Sequence, residues 1–369
     1  MPERLRILHT EASLGWGGQE IRILTEARGV ARCGHAVTLA APAGSRIHQA
    51  AAEYGLEAIA APIGRKSVAG LRAMVALLRA REYDVVNTHS STDSWLAAIG
   101  SRLVRDAPPL VRTRHISSPV PRNFSSRWLY RRATRQIVTT GERLRAQMIE
   151  EVGVDPARVV SIPTGIDLER FHPGAPSAAR AGLGLAPEGT VIGIVATLRS
   201  WKGHRYLFEA FAALADRAAR LVVVGDGPQR EALGTLAGQL GIEARVIFTG
   251  NQKDVAPWMR AFDLFCLPSY ANEGVPQALM QAMACALPVI STPVGSIDEI
   301  VQDGRTGLLV VPGSAQALRE AIEGLLADPS RRRELAQRAR EAALQRFGED
   351  RMVERMLDVF RAAAGEARG

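Results

Sequence analysis

Two loops of this sequence hold the residues best suited to chemistry. In Thr197-Leu-Arg199-Ser-Trp-Lys202-Gly203-His204, two cations stand just ahead of a helical pattern. Paired with the free N–H groups of a helix N-terminus they could neutralise a diphosphate, a solvated pair of loop cations being the lesser alternative. In Pro268-Ser-Tyr-Ala-Asn-Glu273-Gly274-Val275-Pro276, the Glu273 carboxylate can accept hydrogen bonds from two vicinal hydroxyls, which is how a site holds a sugar. The amides of Gly274 and Val275 can meet an anionic end, and Pro276 is tolerated in a first helical turn. Gln281 follows Glu273 by about two helical turns, on a face that a ligand at the helix N-terminus can reach. A third loop, Glu11 to Glu20, places Gly17 and Gly18 before a helix and suits either a phosphate or a tight turn. It is not the G-x-G-x-x-G dinucleotide fingerprint, because Glu20 stands at the last position. His89 and His115 each end a β-branched run, where an imidazole, with Glu11, can face a cleft.

These loops need strands and helices to aim them. Strands are expected at Leu5–His9, Ala36–Ala40, Glu57–Ala61, Val85–His89, Leu110–Arg114, Gln136–Thr139 and Val159–Ile162, then at Val191–Ala196, Leu221–Val224, Arg245–Phe248, Leu264–Leu267, Val289–Ser291 and Leu308–Val311. Amphipathic segments such as Ile21–Arg32, Leu71–Arg81, His204–Ala215 and Pro276–Ala284 lie between them. Such alternation makes an α/β protein with parallel sheets and helices on both faces. Pro163 to Pro187, dense in Pro and Gly, reads as a linker. Two domains follow, 1–172 and 173–347, with a final helix within 348–369 able to return to the first. Ligands bind beyond the carboxyl ends of such strands, so two facing domains make a cleft.

Composition agrees with this class. The 369 residues are rich in Gly and Ala and only 5% aromatic. Neither a signal peptide nor a run of roughly 18 apolar residues is visible, so a cytoplasmic protein is expected. Cys33, Cys266 and Cys285 sit in apolar surroundings and are read as buried, reduced thiols. Residues 1–172 hold 24 Lys and Arg against 16 Asp and Glu, whereas the remainder is balanced at 22 each. The excess concentrates in Arg112–Arg145, where Arg127, Trp128, Arg131, Arg132 and Arg135 mix basic and aromatic character. That pattern suits the inner face of an anionic membrane or a phosphorylated acceptor. Nucleic acid is not expected as a partner, since no recognised nucleic-acid module carries the charge.

From Glu273 to Val289 the chain resembles the signature E-G-x-(G/P)-x4-E-A-M-A-x-G-x-P-V of glycosyltransferase family 4. Gly17-Gly18, Ser161–Phe171, Arg199–Gly203, Val224-Gly-Asp-Gly-Pro228 and Phe248-Thr-Gly250 resemble five further motifs of that family, in family order. The resemblance implies a GT-B fold of two Rossmann-like, doubly wound domains facing across a cleft, acceptor domain first and donor domain second. It implies retaining transfer of a sugar from a nucleotide diphosphate, such as a UDP- or GDP-sugar, to a hydroxyl of a glycan or lipid-linked acceptor, with no metal or cofactor. Arg199 and Lys202 would hold the diphosphate with Gly17, Gly18, Gly274 and Val275. His115 would lie near the transferred sugar, Gln281 at the ribose, and Asn251, Gln252 and Val255 at the base; His89 and Glu11 would face the cleft. Two residues depart from the family: Gln281 replaces a second Glu, and Ala286 a common Gly. A weakly catalytic sugar-nucleotide-binding subunit and a sugar-nucleotide 2-epimerase stay open as alternatives.

Overall fold

The computed structural model describes residues 4–80, 82–115, 120–121, 123–271 and 273–365. All thirteen expected strands form, with ends within two residues of the sequence reading. Arg81, the expected end of the third helix, lies outside the described residues.

The chain folds into two compact units, residues 1–165 with 349–369 and residues 166–348. The first holds β1 (Arg6–Thr10), α1 (Gly18–Arg32), β2 (Ala36–Ala41), α2 (Arg46–Ala50), β3 (Glu57–Ala60), α3 (Val68–Arg79), β4 (Val85–Thr88) and α4 (Ser91–Gly100). It continues with β5 (Leu110–Arg114), α5 (Phe124–Trp128), β6 (Gln136–Thr139), α6 (Glu142–Glu150) and β7 (Val159–Ser161). Its parallel sheet runs β3-β2-β1-β4-β5-β6-β7, so the winding reverses between β1 and β4. Ligands of open α/β sheets settle at such a reversal.

The second unit holds α7 (Pro176–Gly182), β8 (Val191–Val195), α8 (His204–Ala212), β9 (Arg220–Val224), α9 (Arg230–Gln239), β10 (Val246–Gly250) and α10 (Ala256–Ala261). After these come β11 (Leu264–Leu267), α11 (Gln277–Ala284), β12 (Val289–Ser291), β13 (Leu308–Leu309), α12 (Ala315–Ala327) and α13 (Pro329–Arg346). The order β10-β9-β8-β11-β12-β13 puts the reversal between β8 and β11.

The last helix, α14 (Glu349–Gly365), belongs to the first unit. Met352, Met356, Val359, Phe360 and Ala363 recur at helical spacing and pack on Ile7, Val85, Val111 and Val138 of the central strands. The division falls after Gly165 rather than after 172, because Ile166, Leu168 and Phe171 already pack into the second unit's core. The Pro/Gly-dense segment read as a linker also carries α7, whose buried Arg180 donates to the Ala261 carbonyl and pairs with Asp263 at 2.7 Å. Cys266 and Cys285 are buried, and burial pushes the Cys285 thiol up to about 12. Cys33 is exposed, contrary to the sequence reading, because it caps α1 in the turn leading to Gly34.

Candidate functional site

In the second unit, the loops after β8 and β11 bring Lys202 and Glu273 together: Lys202 Nζ lies 2.6 Å from Glu273 Oε1. The Ser269 hydroxyl donates to the same oxygen at 2.6 Å. Two glycines press these loops into place. A Cβ on Gly203, at φ +75, would overlap the Pro268 carbonyl, and one on Gly295, at φ +64, would overlap that of Glu273. The cation–carboxylate pair thus sits where β8 and β11 part, ahead of α8 and α11.

The other residues singled out in this unit lie around that pair in different settings. Arg199 is exposed, its guanidinium 5.5 Å from the Trp201 ring centre. Gly274 and Val275 precede α11, which Pro276 caps. Gln281 is half-buried in the second turn of α11, one turn beyond the half-buried Gln277. Asn251 and Gln252 are exposed after β10, the Gln252 amide donating to the Thr249 carbonyl, and Val255 caps α10. Ala286 has φ +54, a left-handed conformation that explains why glycine is common there. His204, not singled out from sequence, opens α8 fully enclosed; burial, then Lys202, lowers its pKa to about 3.

The first unit gathers more polar groups than its sequence suggested. His89 and His115 meet, and a third imidazole joins them from the end of β1: His9 Nδ1 lies 2.9 Å from His89 Nε2, and His89 Nδ1 lies 3.0 Å from His115 Nε2. Nothing local marks His9; only the pairing of β1 with β4 and of β4 with β5 aligns the three. Asp93 anchors the turn beside them, accepting from Thr10 Oγ1 and from the His89 and Ser90 amides, all at 2.8 Å. Glu11 is fully buried, accepts from the Ser13 amide and the Gln19 side chain, and is pushed up to about 8 by burial and by the nearby Asp93 charge. Glu26 is raised to about 7 by burial, against the opposing pull of Arg22, whose guanidinium stands 3.5 Å away.

Beside the imidazoles lies a cavity of about 490 Å³ whose lining includes Lys66, His89, Ser90, Arg112, His115 and Tyr130. The Arg112 guanidinium stacks 4.9 Å from the Tyr130 ring centre, and Arg114 Nη1 donates to the Tyr130 hydroxyl at 2.7 Å. The basic stretch is therefore not one surface. Arg112 and Arg114 are buried in β5, whereas Arg127, Arg131, Arg132 and Arg135 are exposed, and Arg122 lies outside the described residues. Trp128 is not a free aromatic anchor, because it stacks on Trp95 at 6.0 Å; Phe124 is the exposed aromatic, at 86%. The glycine loop also differs from a bare phosphate cradle. Glu20 is buried in the first turn of α1, and its carboxyl group would lie 3.8 Å from a side chain at Gly17, so an acidic side chain already occupies that N-terminus.

Known proteins resemble this chain in sequence and in fold. The model of Glycosyltransferase Family 4 matches residues 16–170, and that of Glycosyl transferases group 1 matches residues 177–342. The chain is 34% identical over 314 residues to a D-inositol 3-phosphate glycosyltransferase of Nocardia farcinica, covering 78% of this chain and 68% of that protein. The chain belongs to glycosyltransferase family 4. A D-inositol 3-phosphate glycosyltransferase of Mycobacterium tuberculosis is also 34% identical, over 77% of this chain and 62% of its own length, so the chain spans under two thirds of that relative. Among solved structures, Anabaena Alr3699/HepE in complex with UDP superposes with a TM-score of 0.86 at 24% identity, covering 97% of this chain and all of that one. WaaG, a glycosyltransferase involved in lipopolysaccharide biosynthesis, gives 0.70 at 19% identity, covering 98% of each chain. These likenesses identify the GT-B class of fold in a group 1 glycosyltransferase. No helix among the described residues is long and apolar enough to cross a membrane.

Proposed function

We propose that this glycosyltransferase moves a sugar from a UDP- or GDP-linked donor, bound by its second unit, to a hydroxyl of an anionic acceptor bound by its first. The observation that carries the donor half is the Lys202–Glu273 pair at the parting of β8 and β11. There a cation can meet the diphosphate while the carboxylate accepts from sugar hydroxyls. Gly274 and Val275 would offer amides to the anion, Gln281 a neutral partner to the ribose, and Asn251, Gln252 and Val255 the contacts to the base. Arg199 and Lys202 would stabilise charge on the departing diphosphate, so no divalent ion is needed. The departing phosphate oxygen would take the acceptor's proton as its hydroxyl attacks from the same face, which retains the anomeric configuration.

For the acceptor half, Lys66 and Arg112 line a cavity that opens at the N-terminus of α4. These two cations favour a phosphate-bearing polyol or a lipid-linked glycan phosphate. The names of the D-inositol 3-phosphate glycosyltransferases point the same way. The exposed Arg127, Arg131, Arg132 and Arg135 with Phe124 would hold the first unit against anionic lipid, as suits an envelope acceptor at the inner membrane face.

A thermal-shift panel of UDP-, GDP- and ADP-sugars tests the donor half, since a ligand at 100 times its Kd adds roughly 2.7 kcal/mol of apparent stability. Transfer from the stabilising donor to phosphorylated and unphosphorylated polyols, run in EDTA with the product anomer read by NMR, tests the rest. The neutral Gln281 supports a second reading, a donor-binding subunit. Binding of a donor that is never transferred to any acceptor would select it, and an inverted product or a strict need for metal would overturn the proposed chemistry.

A further inference from the structure

Three imidazoles run in file through the reversal point of the first sheet. Their ring centres are 5.2 Å apart at each step, with His9 and His89 nearly parallel at 9° and His115 tilted by 33°. The inner end is closed. His9 is fully buried, stands edge-to-face with Phe360 of α14 at 6.0 Å, and its Nε2 has no hydrogen-bond partner. The outer end is open, because His115 lines the cavity.

Burial holds all three rings neutral. The pKa of His9 falls to about 3, and those of His89 and His115 lie well below 6.5, with Arg22 and Arg112 adding to the effect at both. A neutral imidazole carries one N–H and one lone pair, so each ring can donate to only one neighbour. Two proton arrangements then satisfy the two contacts. With protons pointing outward, His9 Nδ1–H donates to His89 Nε2, His89 Nδ1–H donates to His115 Nε2, and His115 keeps its proton on Nδ1, away from the file. With protons pointing inward, every donor reverses and the last proton falls on His9 Nε2. That would bury an N–H without an acceptor, and orphaned N–H groups are rarer in proteins than orphaned acceptors.

We propose that His9 and His89 are positioning residues whose hydrogen-bonded file locks His115 in the Nδ1–H tautomer, so that its Nδ1–H can donate to an oxygen of a ligand in the cavity. The lock is a property of the free protein. Its effect on turnover rests on the transfer reaction proposed above. His9 touches no ligand in this scheme, because His89 and His115 stand between it and the cavity.

Long-range proton–nitrogen NMR of protein carrying 15N-histidine reads the tautomers without any substrate. The expected result is a single His115 species with Nδ1 protonated and Nε2 bare. A protonated Nε2 on His115, or an even mixture, overturns the proposal. His9→Leu should release the lock and give mixed His115 tautomers. It should lower kcat by roughly tenfold, the scale on which groups that fix an imidazole's tautomer act at metal sites, with KM for the donor unchanged. His9→Asn, whose amide can stand in for Nδ1, should recover most of that loss. A locked tautomer in a protein that transfers no sugar would sink the transfer reading and leave this inference standing. Transfer that is equally fast in wild type and His9→Leu, with tautomers unchanged, would sink the inference alone.

Discussion

The two units are wound alike, yet they use polar residues in opposite ways. In the first, buried titratable groups including His9, Glu11, Arg22, Glu26, His89, Asp93 and Arg112 thread the ends of the strands, and the apolar residues divide into three separate clusters. The second has one continuous apolar cluster, and its buried titratable side chains among the described residues are Arg180, His204 and Glu273, with the thiols of Cys266 and Cys285. In the second unit the Lys202–Glu273 pair stands in loops beyond the apolar core, whereas in the first Asp93 and Arg112 hold elements together beside the cavity. Substitutions should expose this difference, and four of them do so with decreasing force.

Arg22→Met should have the largest effect. It leaves Glu26 buried without its cation and removes donors to the Ile162 carbonyl and Thr164, a loss of about 3–5 kcal/mol by chemical denaturation. The double variant Arg22→Met/Glu26→Leu should recover much of that stability, because well-packed apolar groups often replace a buried ion pair without loss. If Arg22→Met unfolds at the wild-type denaturant concentration, the polar layer contributes little and the contrast collapses.

Lys202→Ala should do the reverse in the second unit. Free UDP or GDP should bind more weakly by on the order of 1.5–3 kcal/mol in calorimetry, because a charge-assisted contact disappears. The unfolding midpoint should move less than in Arg22→Met, since Lys202 is partly exposed and Glu273 keeps the Ser269 hydroxyl as a donor. Wild-type nucleotide affinity in this variant would show that Lys202 holds no phosphate.

Glu11→Gln tests whether polar burial in the first unit carries a pH signature. A carboxyl raised from 4.5 to about 8 on folding stays protonated in the folded state while the unfolded chain releases its proton, so its contribution falls as pH rises from about 4.5 to about 8. The amide has no such dependence. Glu11→Gln should therefore exceed wild type in stability at pH 7.5, by a margin that grows from about pH 4.5 upward, and match it near pH 4. Parallel stability curves for the two proteins across that range would remove the burial argument.

The smallest effect belongs to Ala286→Gly. Relief of a left-handed backbone outweighs the added freedom of glycine in the unfolded chain, for a gain of about 0.5–1 kcal/mol in thermal unfolding. Donor affinity should stay unchanged. A destabilised Ala286→Gly would mean that the turn is held by the packing of the alanine methyl.

What the sequence determined by itself was local. The thirteen strands could be read because β-branched runs, bounded by Gly, Pro and Asn, act over a few residues. The loops that present Lys202 and Glu273 were legible for the same reason, each lying directly between a strand and a helix. Tertiary structure decided everything that depends on which strands are neighbours. His9, His89 and His115 are 80 and 26 residues apart in the chain and become partners only because β1, β4 and β5 lie side by side. Arg112 and Arg127 look alike in a run of basic residues, yet the first points into a cavity and the second into solvent. Trp128 is half-buried because Trp95, on a different helix, stacks on it. Periodicity and propensity reach about one turn along the chain, whereas strand order is chosen by the sum of many contacts made across it.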